Sequence, residues 1–205
     1  MEGKRQTRSE PPFRVLKLDL EGYGIRFEPL DEQRHSTGLA EAIKDGDLWR
    51  LPVTSVPHPD DIRDFFTAAE SAFADGRELS FATLDIAEGR IAGSTRFRMI
   101  EAEHLRVEIG FTFLAAEYQR TRVNTAAKLL MLRHAFDTWK VNRVEFLTDC
   151  LNESSRAAIL RIGAQQEGVL RSHMVMRDGR IRDSVIFSIV RPEWPAVRAR
   201  LEARI

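Results

Sequence analysis

Several residues of this chain have types and spacings that could do chemistry. Glu108 lies in an alternating apolar stretch two residues before Gly110, so its carboxylate sits on a strand. It is either a group that exchanges protons in a cleft or a solvated, salt-bridged strand glutamate, because the sequence does not fix which face it takes. Asn152 opens an Asn-x-x-Ser helix start, where an N-cap is the expected role. Ser155 falls at the third helical position and points into the same cleft, or merely supports the cap; Ser154 is the weaker candidate. Cys150 precedes that helix, where a thiolate would be favoured, although an inert strand-end cysteine is the better reading. Between these groups runs Gln119-Arg120-Thr121-Arg122-Val123-Asn124, a polar turn without glycine that joins a strand to a helix. A helix N-terminus offers unpaired N–H groups and a partial positive charge, which suit an anion such as a diphosphate.

The elements that must position these residues follow from the apolar pattern. "FRVLKLDLEGYGIRFEPL" gives one or two opening strands around Gly22 and Gly24. Asp31 caps a helix to about Asp45, and Pro52, Pro57 and Pro59 then make a loop. A second helix runs from Asp60 or Asp61 to Ala74 and stops at Asp75-Gly76. "LSFATLDI", "RIAGSTRFRMI" and "RVEIGFTFLA" are strand-like. A helix from about Thr125 to Trp139 sets Leu129, Leu132 and Phe136 on one stripe, followed by the strand "RVEFLTD". The Asn152 helix ends at Gly163, a hairpin turns at Asp178-Gly179, and "EWPAVRARLEARI" closes as a short helix. The middle strands are expected to be antiparallel. The unit 106–115, 125–139, 143–149 reads as a parallel crossover. A polar tail, residues 1–12, is expected to be disordered and 13–205 to form a single α+β domain.

Composition narrows the function classes. The 31 Lys and Arg balance 31 Asp and Glu, so no overall basic excess points to nucleic acid. No apolar run approaches the roughly 20 residues that span a bilayer, and the start lacks an apolar signal core, so a cytoplasmic protein is expected. The histidines (35, 58, 104, 134, 173) show no metal spacing, and no metal is expected. His134 lies mid-helix and reads as structural or surface; His173 could face a cleft.

"EYQRTRVNTAAKLL" together with "RVEFLTDCLNESSRAAILRIGAQQEGVLR" and "DGRIRDSVIFSI" resembles the GCN5-related N-acetyltransferases (GNATs), closest to the branch acting on ribosomal-protein N-termini. The resemblance covers about Gly24 to Trp194. It implies a mixed, mostly antiparallel sheet of six or seven strands with a central parallel crossover and about four helices. It also implies transfer of an acetyl group from acetyl-CoA to a primary amine, on a peptide or a small molecule, by direct attack. Glu108 would be the base. Ser155 would protonate the leaving thiolate. Thr112, Phe113 and Leu114 would pair with the pantetheine arm as an added strand would and polarise the thioester. The diphosphate would lie on Gln119, Arg120, Thr121, Arg122, Val123, Asn124 and Thr125, with Asn152 bonding the arm. Trp49, in the loop roofing the acceptor, would contact substrate or merely pack. A homodimer fits the free hairpin and sheet edges.

The turn departs from the family pattern, Gln/Arg-x-x-Gly-x-Gly/Ala, by placing Arg122 and Asn124 at the two small positions. Asn tolerates positive φ, and an Arg guanidinium can pair with phosphate. The alternative is a non-catalytic binding protein that keeps the fold and has lost the cofactor.

Overall fold

A computed structural model describes residues 12–205; the tail expected to be disordered falls outside the described residues except for Pro12. Alternating apolar runs build one sheet, in the order β1-β2-β3-β4-β5-β6-β8-β7. Its strands are β1 (Leu20–Gly22), β2 (Ile25–Pro29), β3 (Leu79–Asp85), β4 (Arg90–Glu101), β5 (Arg106–Leu114), β6 (Arg143–Asp149), β7 (Gln165–Val175) and β8 (Ile181–Val190). The helices are α1 (Glu32–Lys44), α2 (Ile62–Ala74), α3 (Arg122–Arg133), α4 (Glu153–Ile162) and α5 (Trp194–Glu202). The strand count exceeds the expected six or seven because a turn at Tyr23 and Gly24 splits the opening segment in two. Among the described residues no helix is long and apolar enough to cross a membrane.

Two packed layers fix the sheet. Alternation along β3 sends Phe81 into the larger apolar cluster and Ala82 into the smaller one. The larger cluster joins the sheet to α3 and α5, and the smaller one joins it to α1 and α2. Ala126 to Leu132 of α3 are all buried, so this helix is enclosed rather than striped. Its backbone leaves α-helical geometry at His134–Thr138, where a π-helical stretch carries the chain to Trp139. His134 is buried there, 4.7 Å from the Trp139 ring and 5.9 Å from Phe97, and this burial lowers its pKa to about 4.

All neighbouring strands pair antiparallel except β5 and β6, the parallel crossover. That pairing covers only Arg106–Arg143, Val107–Val144 and Glu108–Glu145. Beyond it, β6 stays with β8 as far as Asp149, and β5 continues on β4 as far as Leu114. The sheet therefore divides after Glu108.

On the β4 side, Ser94 faces Phe113 and Arg96 faces Gly110, so two residues of β5, Phe111 and Thr112, bulge opposite Thr95. Phe111 takes φ +48°, unusual for an aromatic residue. Its ring is held by Arg96 (4.5 Å) and Arg98 (4.8 Å), whose guanidiniums lie over it. Gly93 faces the far end of this irregularity at φ +156°, and a Cβ there would run into the Phe113 carbonyl. Gly93→Ala is expected to destabilise the fold by at least about 2 kcal/mol in urea denaturation. An unchanged midpoint would show that β4 and β5 can part here at no cost.

Candidate functional site

Among the described residues the split sheet leaves one edge of Phe111–Leu114 without a strand partner, so the segment proposed from sequence, Thr112, Phe113 and Leu114, lies on an edge free of them. The chain then turns through Ala116–Tyr118 into α3. Gln119 Nε2 donates to the Leu114 carbonyl at 3.0 Å, and Thr121 Oγ1 donates to the Tyr118 carbonyl at 2.7 Å, closing the turn. Thr121 is the N-cap, and its hydroxyl accepts from the Val123 amide.

The helix starts three residues earlier than the sequence suggested. Arg122, Val123 and Asn124 form its first turn instead of the loop, because the Thr121 cap starts it there. The residue with left-handed backbone is Arg120, at φ +63°; Arg122 and Asn124 have no positive φ. Glycine is therefore not needed at either of those positions. The Arg122 guanidinium is occupied by the Tyr23 carbonyl (2.8 Å) and the Asp85 carboxylate (3.3 Å), packed over Gly24. Arg120 is exposed and has no partner among the described residues, so it is the cation available at this turn. First-turn amides of a helix lack intrahelical partners, and those of Arg122 and Asn124 can serve an anion here.

Glu108 ends the β5–β6 pairing and is 4% exposed. Its carboxylate lies over Gly110, where an added Cβ would come within 2.6 Å of Oε1. Arg98 Nη1 stands 3.5 Å away. Burial raises the Glu108 pKa to about 7, with Arg98 opposing and Glu145 and Glu78 reinforcing the shift. Glu108 thus meets an arginine, as the salt-bridged alternative has it, but it is buried rather than solvated.

Across the divide, Asn152 caps α4 by accepting from the Ser155 amide at 2.9 Å. Ser155 is half-buried, and its hydroxyl makes no bond among the described residues. Cys150 is half-buried against the larger core cluster, and its amide donates to Asp183. Trp49 is half-buried against the smaller cluster, 5.2 Å from the His58 ring. His173 is exposed and bonds the Ser184 hydroxyl at 2.9 Å. The loop that carries Pro52 and Val56 is clasped by the β7–β8 turn. Arg180 donates to the Pro52 carbonyl (3.0 Å) and to Asp149 (2.5 Å), and Arg177 donates to the Val56 carbonyl. Thr54–Pro57, Phe65 and Phe111–Phe113 enclose a cavity of about 40 Å³ beside the free edge. A larger cavity, about 330 Å³, lies between α1 and the β3–β4 turn, and Thr112, Phe113 and Leu114 do not line it.

Sequence reasoning missed Lys128. It is 7% exposed, and Nζ bonds the Thr112 hydroxyl at 2.7 Å. It is the only charged residue between Thr125 and Leu132, which was the available signal.

A strand pair that parts beside a bulge, with a helix N-terminus at its foot, is the architecture of an acyltransferase domain. Residues 25–165 match the family described as the acetyltransferase (GNAT) domain, and the chain belongs to that family. It is 29% identical to a GCN5-related N-acetyltransferase from Brucella melitensis, with a TM-score of 0.83 over 93% of this chain and 86% of that one. RimJ of Mycobacterium smegmatis, determined in complex with CoA-disulfide, shares the fold at TM-score 0.75 and 20% identity over 96% of this chain and 97% of that one. YdaF of Bacillus subtilis, provisionally named a ribosomal N-acetyltransferase, is 30% identical over 107 residues, 52% of this chain and 57% of that protein. The chain thus spans little more than half the length of the curated relatives it matches.

Because the folded-state pKa of Glu108 lies above its unfolded value, its stabilising contribution is present at low pH and is lost as pH rises from about 4.5 to about 7. Glu108→Gln is therefore expected to gain stability over the native chain across that window, by on the order of 2–3 kcal/mol at pH 8. Denaturant melts at pH 4 and pH 8 would show it; a pH-independent difference would mean the carboxylate is not desolvated.

Proposed function

We propose that residues 13–205 act as one domain that transfers an acetyl group from acetyl-CoA to a primary amine, with a protein N-terminus as the acceptor. The observation that carries this reading is the free edge of β5 opposite the departing β6, with the start of α3 at its end. Acetyl-CoA supplies an activated thioester together with a diphosphate and an amide-bearing arm, and the residues present fit each part. The exposed Arg120 and the first-turn amides of α3 suit the diphosphate. The edge 112–114 suits the arm.

Glu108 accepts the proton of the attacking ammonium, directly or through water; a pKa near 7 suits a base working at neutral pH. Main-chain N–H groups of the 112–114 edge stabilise the negative oxygen that develops during attack. Ser155 donates a proton to the departing thiolate through its hydroxyl, which makes no bond among the described residues. The name of YdaF supports a ribosomal-protein α-amine as acceptor, and on this reading the protein works in the cytoplasm, with its sheet edges open to a second copy. The small cavity beside the edge suits a two-carbon acyl group. The scaffold alternative depends on Arg122 and Asn124, and their ordinary helical backbone favours retained binding.

Titration calorimetry is expected to give acetyl-CoA binding tighter than about 100 μM, roughly −5.5 kcal/mol; no heat of binding would support the scaffold. With a peptide acceptor, kcat/KM should rise through about pH 7 and lose that limb in Glu108→Gln. Ser155→Ala should lower kcat about 100-fold with little change in donor affinity, and an unchanged kcat would remove Ser155 from the mechanism.

A further inference from the structure

Lys128 presents a hydrogen-bonding deficit beside the bulge of β5. Its side chain comes from the seventh position of α3 and is enclosed by an otherwise apolar run, Ala126 to Leu132. Nζ reaches one partner among the described residues, Thr112 Oγ1 at 2.7 Å. That hydroxyl is shared with Thr95 Oγ1, also at 2.7 Å, and Thr95 Oγ1 in turn lies 3.7 Å from Met131 Sδ. A protonated lysine carries three donors and a neutral one carries two with a lone pair. One hydroxyl cannot satisfy either form. A buried amine left short of acceptors costs stability, so apolar residues at this point would serve the core better. Among the described residues no carboxylate bonds or ion-pairs with Nζ, so the usual structural reason for burying a lysine is missing there. Burial alone lowers its pKa to about 7.

The position of the deficit is specific. Thr112 belongs to the bulged, unpaired stretch of β5, and its side chain turns to the α3 layer, where Thr95 and Lys128 meet it. Nζ therefore sits next to the free edge from which β6 has withdrawn. A ligand laid along that edge brings its own carbonyl oxygens past Thr112, within the span of a lysine side chain.

We infer that Lys128 is a donor-binding residue that hydrogen-bonds a carbonyl of the amide-bearing arm of the acyl donor and so holds the arm against β5. The inference rests on the acyl-CoA reading and adds a contact from α3 to the strand edge and the turn. It also explains the polar chain Thr95–Thr112–Lys128 inside an apolar layer. The threonines fix the amine toward the edge, and the ligand completes its bonding.

Lys128→Met keeps most of the length and removes the donors, and Lys128→Gln restores an NH2 group with two of them; thermal melts confirm folding of both. Calorimetry compares CoA, which has the arm, with ADP, which has the diphosphate and no arm. The expected result is about tenfold weaker CoA binding in Lys128→Met, partial recovery in Lys128→Gln and ADP affinity unchanged in all three proteins. CoA affinity equal to the native protein's in both variants would overturn the inference. A parallel loss for CoA and ADP would also overturn it, since that marks a distorted cleft rather than a lost contact. If the native protein binds neither compound, the acyl-CoA reading itself fails; if it binds CoA and the variants match it, only the role of Lys128 does.

Discussion

The parting of β5 from β6 after the Glu108–Glu145 pair is the constraint on which the site depends. Parallel strands that stayed paired would satisfy their backbone groups and leave nothing for a ligand to bind. Two features keep them apart. On one limb, β6 remains bonded to β8 along its whole length, through Asp149 facing Ser184. On the other, β5 is pulled toward β4 by the bulge at Phe111 and Thr112, which adds local twist and turns the strand away. The bulge is held from both faces. Arg96 and Arg98 lie over the Phe111 ring, and Thr95 and Lys128 bond Thr112 from the helical side.

The same split organises the electrostatics. Arg96 is buried beside Glu78 at 2.6 Å, and Arg98 reaches Glu78 and Glu108 at 3.5 Å each. Glu108 shares its arginine with another acid and stays desolvated, which keeps its proton affinity high. A closer, undivided ion pair would hold the carboxylate permanently charged and make it a poorer base near neutrality. Glu145, its register partner, is instead engaged by Arg143 at 2.7 Å and Arg106 at 3.4 Å. Adjacent carboxylates on neighbouring strands thus differ in the number of guanidiniums each one meets.

Much of this was legible in the sequence, for local reasons. Asn152 and Gly163 bound α4 as caps do, Asp31 caps α1 by accepting from the Arg34 amide, and the crossover from β5 to β6 followed from periodicity. The start of α3 was misplaced because two polar residues, Arg122 and Asn124, flank Val123 and look like loop, yet a threonine cap outweighs side-chain polarity. The bulge was not legible. Left-handed backbone at a phenylalanine comes from two arginines supplied by another strand, and local propensity does not contain them. Lys128 escaped for a related reason: apolar patterning sends a lysine to solvent, whereas its actual partner, Thr112, is 16 residues earlier in the chain. The side chains that could not be read are the ones held against β5 by contacts from β4 and α3.

Hydrogen–deuterium exchange with and without CoA tests the central claim most directly, because it reports the backbone amides themselves. The account predicts new protection confined to residues 111–115 and 119–125, with the β6–β8 ladder unchanged. Protection at the cavity between α1 and the β3–β4 turn, with none along Phe111–Leu114, would contradict it and place the ligand elsewhere.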